Sequence, residues 1–192
     1  YVEMRYSRTS TYIASLPGMA ERTVILYTFS KKYAMTGWRL GAAIAPVGIS
    51  KIFGKLNTNN ESCTTHFIQY AGIEALTGDQ SGAEAILRTL QGRRDAAFDV
   101  IAQMRGVTLA LPESTFYLFP DVTDAMAAKG YTTLPEFANA ALEETGVSFT
   151  TRLHFGRPQP GETRQYVRFA YSGLPEEQIR QGLGLLKQWL ES

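Results

Sequence analysis

An α/β fold with one unusually long helix in its middle is predicted by three observations. Residues 23–29 form a continuous apolar run rich in β-branched and aromatic side chains. Residues 81–105 carry apolar side chains at helical spacing over an unusual length, and after Gly106 short strand and helix signals alternate closely. A run such as 23–29 is the pattern of a strand covered on both faces in a parallel sheet. Residues 28–31 then lie at its carboxyl end, where open α/β sheets bind ligands.

The remaining elements follow in order. Residues 40–45, small and apolar, read as the next strand, and Pro46 ends it and opens a short helix through Leu56. Residues 64–76 read as a helix stopped by Gly78. Ile86, Leu90, Ala97, Ile101 and Met104 then mark the long helix, roughly 37 Å at 1.5 Å rise per residue. Past Gly106, residues 107–111 and 115–119 read as strands about a turn at 112–114. Thr133, Leu134, Pro135 and Glu136 form a capping box with proline in the first turn, opening a helix to about Thr145. Residues 147–150 and 165–170 add strands. The last helix starts at Pro175, with Glu176 and Glu177 in its first turn and Ile179, Leu183, Leu186 and Leu190 on its face.

Composition excludes several function classes. With 192 residues and 44% hydrophobic content the chain can bury a core, and its length allows one or two domains. A net charge of +1 makes no electrostatic case for nucleic acid or an anionic membrane. The single Cys63 rules out an internal disulfide, and two histidines with one cysteine make no zinc pattern, so no metal is expected. No segment reads as a signal peptide or a membrane span, and a reducing, cytoplasmic setting is the expectation.

The chemistry concentrates in Ser30-Lys31-Lys32-Tyr33-Ala34-Met35-Thr36-Gly37-Trp38-Arg39-Leu40-Gly41, which sets a lysine eight residues before an arginine. Lysine condenses with aldehydes and serves as a base once released, and a guanidinium fork matches two phosphate oxygens. The stretch resembles the signature around the cofactor lysine of class I/II, fold type I, aspartate aminotransferase-like pyridoxal-phosphate enzymes. A second segment, Tyr166-Val167-Arg168-Phe169-Ala170-Tyr171-Ser172, resembles the family strand whose arginine binds the substrate α-carboxylate. Read from the residues alone, these charges could instead be solvated loop and strand positions.

The resemblance implies roles residue by residue. Lys31 would be the catalytic lysine and form the Schiff base with pyridoxal 5'-phosphate. Thr28, Arg39 and Ser30 would contact the phosphate, although Ser30 fits local turn chemistry equally. Tyr1 stands where the family has a tyrosine that bonds the ring hydroxyl. Arg168 would hold the α-carboxylate. Phe116 and Tyr117 match a segment that approaches the substrate, with Phe116 taken as the substrate contact and core packing expected for one of the two. Lys32 breaks the spacing to Arg39 and reads as a solvated neighbour. His66 and His154 read as structural. Residues 57–65 contain no arginine, so the family's known device for selecting acidic substrates is not expected, and the segment 150–156 departs from the usual family loop.

The resemblance also implies organisation: residues 1–80 as the C-terminal part of the large cofactor domain, 81–105 as the connecting helix and 106–192 as the small α/β domain. The chain opens on Tyr1 and is expected to be the C-terminal half of a longer protein. By itself it is expected to be inactive, to bind cofactor weakly and to self-associate. The implied activity is transfer of an amino group between an α-amino acid and a 2-oxo acid, in a homodimer. Rival expectations are a C–S lyase or decarboxylase on the same fold, the aminotransferase-like sensor domain of a transcription regulator, and a stable module that binds no cofactor.

Overall fold

The computed structural model describes residues 3–7 and 11–192. The chain divides into two compact units, Tyr1–Leu87 and Arg88–Ser192. The helix Ser81–Ile101 runs through the boundary.

In the first unit, β1 (Ile25–Thr28) and β2 (Gly41–Ile44) form a two-stranded antiparallel sheet, with Ile25 opposite Ile44 and Thr28 opposite Gly41. The parallel, doubly covered strand expected at 23–29 is therefore corrected on both counts. A parallel neighbour needs a long crossover, usually a helix. Here a single 3-10 turn at Thr36–Trp38 reverses the chain, and the Phe29 amide donates to the Leu40 carbonyl at 3.3 Å. Within this chain Leu26 is 80% exposed.

The core of this unit lies beyond the strand end. Phe29, Met35 and Leu40 are buried together against Ile68, Ala71 and Ala75 of α2 (His66–Thr77). Gly72 makes that approach possible, since a Cβ there would lie 2.7 Å from Leu40 Cδ2. α1 (Val47–Asn60) starts after Pro46 as expected but continues past Leu56 to Asn60. Gly78 caps α2, its amide donating to the Glu74 carbonyl.

α3 (Ser81–Ile101) ends four residues short of the expected 105; Leu90, Ala97 and Ile101 are buried as its apolar spacing predicts. The second unit continues with β3 (Tyr117–Leu118), α4 (Thr123–Ala128), α5 (Leu134–Thr145), β4 (Thr150–Thr151), β5 (Val167–Ala170) and α6 (Glu176–Glu191). β5 is the centre of an antiparallel sheet ordered β3-β5-β4. The hairpin expected between 107–111 and 115–119 is not formed. Thr108 instead bridges Asp121, which also bridges Tyr166, while Leu118 pairs with Phe169. Long-range pairing to β5 satisfies the backbone groups that a local hairpin would have used.

α4 has six residues, too few to show helical periodicity, and its buried residues are Ala125 and Met126. Thr133 caps α5 by accepting from the Glu136 amide, and Gly146 closes it at φ 72°, a left-handed position that glycine adopts without a Cβ clash. α6 buries Ile179, Leu183 and Leu186. The core here gathers Val122, Met126, Leu134, Phe137 and Val167. Among the described residues, no helix is long and apolar enough to cross a membrane.

Candidate active site

Thr28 ends β1, and its hydroxyl accepts the Ser30 amide at 3.2 Å. That bond closes a short side-chain-to-backbone turn made by the Thr28 hydroxyl. The chain then curls so that the Tyr33 amide reaches the Phe29 carbonyl at 3.3 Å. Lys31, half-buried, lines a cavity of about 70 Å³ together with Leu26, Tyr27, Thr28, Lys32 and Glu3. Arg39 follows the 3-10 turn in the left-handed region at φ 53°, uncommon for a residue with a Cβ. Its guanidinium donates once, to the Thr36 carbonyl at 3.1 Å, and is otherwise exposed, leaving most of its five N–H donors toward solvent. Gly41 permits this geometry, because a Cβ there would stand 3.0 Å from the Tyr27 carbonyl. Tyr1 lies outside the described residues.

Beside the cavity, Glu3 accepts a short hydrogen bond from the Tyr27 hydroxyl and pairs with Lys32 Nζ at 3.4 Å. Burial, then the bond to Glu3, push the Tyr27 phenol far above its ordinary value. For Lys32 burial alone would lower the ammonium, but hydrogen bonding with Tyr33 and the Glu3 charge outweigh it and hold the group above the usual lysine range. Lys32 also sits 4.8 Å from the Tyr33 ring centroid. The expectation of a merely solvated Lys32 is thus corrected: an acidic partner lies within reach across the sequence.

In the second unit, Arg168 is on β5 opposite Thr150. Its guanidinium carbon lies 4.3 Å from the Tyr117 ring centroid and 4.7 Å from that of Phe155. Tyr117 pairs with Ala170, two residues from Arg168 and therefore on the same face. Phe116, on the opposite side of the pleat, is buried, and its carbonyl accepts the Tyr171 amide. Of the two aromatic candidates, Phe116 is the core residue and Tyr117 is the one facing the arginine.

Phe155 had no signal in the sequence, because it lies in an irregular segment without periodicity. Thr151 and His154 form a capping box around the 3-10 turn Arg152–Phe155, with His154 Nδ1 3.2 Å from the Thr151 amide. Arg152 pairs with Glu162 at 2.8 Å and donates to the Gly156 carbonyl at 3.1 Å. The Gln159 amide is the main reason the Glu162 carboxyl is held below its usual range, with Arg152 adding to it. This latch fixes Phe155, whose ring also meets Phe119 edge-on at 5.9 Å. His154 is structural, as expected. His66 opens α2, its ring against Tyr70. Among the described residues, no cluster of three or more acidic, histidine or cysteine side chains could hold a metal ion.

Each of these two cation–π contacts to Arg168 contributes about 0.5–1 kcal/mol at an accessible site. If Arg168 takes a carboxylate ligand, Tyr117→Ala is expected to weaken its binding about two- to fivefold, with Tyr117→Phe near wild type. Unchanged affinity in Tyr117→Ala would show that β-sheet placement alone orients Arg168.

Residues 1–186 match the family described as aminotransferase class I and II. The chain is 38% identical over 141 residues to an asparagine–oxo-acid transaminase of Streptococcus mutans, covering 73% of this chain and 36% of that protein. It is 37% identical over 142 residues to an aspartate aminotransferase of Geobacillus stearothermophilus, covering 74% of this chain and 36% of that one. A solved aromatic aminotransferase from Pyrococcus horikoshii superposes on the whole chain with a TM-score of 0.86 at 31% identity, and 49% of that structure is covered. The chain thus spans 36% of the length of these two curated relatives and about half of the solved structure. With the lysine turn and the arginine strand both inside the matched residues, the chain belongs to the aminotransferase class I and II family.

Proposed function

We propose that this chain supplies the lysine, the phosphate-binding turn and the carboxylate-binding strand of a pyridoxal-phosphate-dependent aminotransferase. The observation that carries the reading is the turn after β1, where Lys31 and Thr28 line one cavity and the exposed Arg39 follows on the same short connection. This donor set fits a phosphorylated aldehyde: an amine for the carbonyl, with a hydroxyl and a guanidinium for the dianion. Ser30 is a further hydroxyl on the same turn, and Tyr1 is assigned by family position alone. A cavity of about 70 Å³ admits one end of such a ligand, well short of the roughly 300 Å³ that encloses a whole small molecule.

When bound, the cofactor supplies an aldehyde carbon that takes the amino group and a conjugated ring that accepts the electron pair left at Cα. The chain's own residues do the rest. Arg168 binds the α-carboxylate through its fork, and Tyr117 and Phe155 lie against its guanidinium. Lys31 Nζ takes the proton from the substrate Cα and returns one in the reverse half of the cycle. The substrates are an α-amino acid and a 2-oxo acid. A homodimeric assembly and a cytoplasmic setting belong to the same reading; the exposed free thiol of Cys63 supports the latter.

The test is isotopic. The protein carrying this chain is incubated with pyridoxal phosphate, a 15N-labelled amino acid and an unlabelled 2-oxo acid. Label is expected in the amino acid formed from the 2-oxo acid. Release of carbon dioxide or thiol with no labelled amino acid would replace transfer by decarboxylation or C–S cleavage.

A further inference from the structure

The side chain of Arg152 directs its donors to the segment that follows Phe155. We propose that Arg152 and Glu162 are positioning residues: their paired charged ends close residues 156–162 back onto the turn 152–155 and hold the Phe155 ring against the Arg168 guanidinium. The inference rests on the reading above, in which Arg168 takes the α-carboxylate, and it gives a role to the segment 150–156 that departs from the usual family loop.

Arg152 Nε lies 2.8 Å from Glu162 Oε1, and its Nη2 donates to Oε2 at 2.9 Å. This is a two-point pairing of fork and carboxylate, with each side chain 17% exposed and so largely shielded from water. The remaining donors reach backbone, Nη1 donating to the Gly156 carbonyl at 3.1 Å and Nη2 to the Arg157 carbonyl at 3.3 Å. Phe155 is thereby bracketed, since Arg152 on one side of it holds the two residues on the other. Glu162 has a further anchor in the Gln159 amide, which donates to Oε2 at 2.9 Å. The base of the loop is fixed by the sheet: the Arg152 amide donates to the Tyr166 carbonyl at 2.8 Å, and Thr151 pairs with Val167 beside Arg168.

Nothing else regular holds this part of the chain. Gly156 turns at φ 113°, a conformation that residues with a Cβ rarely adopt, and residues 157–162 form neither strand nor helix. Phe155 is 45% exposed, and its ring meets Arg168 at 4.7 Å and Phe119 at 5.9 Å. Two such ring contacts do not offset the entropy of ordering a segment of this length, and the charge-assisted pair with its carbonyl bonds adds to them. Arg168 keeps its place through β5 pairing whatever the loop does. Loss of the latch therefore changes how well the guanidinium receives a carboxylate and leaves the chemistry at Cα alone.

The protein carrying this chain is assayed with pyridoxal phosphate over several amino acids. Arg152→Met, which keeps the stem and removes every donor of the fork, and Glu162→Ala are each expected to raise KM about two- to fivefold, the size of one cation–π contact, with kcat within about twofold of wild type. Phe155→Ala should give the same shift. Arg152→Met combined with Phe155→Ala should be no worse than Phe155→Ala alone, because the latch acts through that ring. Unchanged KM in Arg152→Met, or shifts that multiply in the combined variant, overturns the proposal. A second arm needs neither cofactor nor turnover: timed modification with phenylglyoxal, which condenses with guanidinium groups, followed by peptide mapping. Arg168 should react about two- to fivefold faster in Arg152→Met than in wild type. Arg94, whose side chain is 9% exposed, is the reference, since general loosening would raise its labelling too. If wild type transfers no amino group, the proposed function fails and this arm decides the inference. Faster modification at Arg168 alone then supports it; an unchanged Arg168 rate, or equal rises at Arg168 and Arg94, overturns it.

Discussion

Lys31→Ala is expected to lower amino-group transfer by at least about 10²- to 10⁴-fold, or roughly 3–5 kcal/mol of barrier, because the same amine would bind the aldehyde and move the Cα proton. The effect should fall on turnover and leave folding largely intact. Lys31 lies in a turn after β1, lining a cavity, and is absent from the buried set of Phe29, Met35 and Leu40 that packs on α2. Arginine at this position should not restore activity, since it neither forms the bond nor gives up its proton. Circular dichroism and a thermal melt close to wild type, with transfer lost, is the expected pair of results. Transfer within tenfold of wild type would place the base elsewhere, and Lys32 would be the first position to examine.

Arg168→Ala should cost every amino acid substrate about 2–4 kcal/mol, or one and a half to three decades in kcat/KM, because the α-carboxylate is common to all of them. Arg168→Lys should recover little, because an ammonium cannot present two parallel donors. The sheet should survive, because β4, β5 and β3 are joined by backbone pairing at Thr150–Arg168 and Tyr117–Ala170. Measured over several amino acids of different side chain, the loss should be uniform. Unchanged efficiency across that panel would show that the carboxylate is held by another group.

Much of the helical framework was legible in the chain. α6 could be read from Ile179, Leu183 and Leu186, and α5 from Thr133 at its start and Gly146 at its end. These are local signals: a stripe every three to four residues and a cap whose partner lies within four. α4 was missed because six residues hold under two turns of stripe. The strands were placed to within a few residues but paired wrongly. Residues 107–111 look like half of a hairpin, yet Thr108 bridges Asp121 and Leu118 pairs with Phe169.

The sequence by itself determined the family, the existence of every named α-helix but α4, and the order of the chemical groups: a lysine turn first, an arginine strand far downstream. Those properties depend on residue type and short spacing, which a linear chain carries in full. Only the tertiary structure decided that β1 and β2 run antiparallel and that Tyr117, not Phe116, faces Arg168. It alone brought Phe155 out of an irregular loop onto that arginine and paired Glu3 with Lys32. Each of these is a contact between residues distant along the chain, set by strand register and turn geometry. Adjacent residues of like type, such as Lys31 and Lys32, differ only in the surroundings that folding gives them.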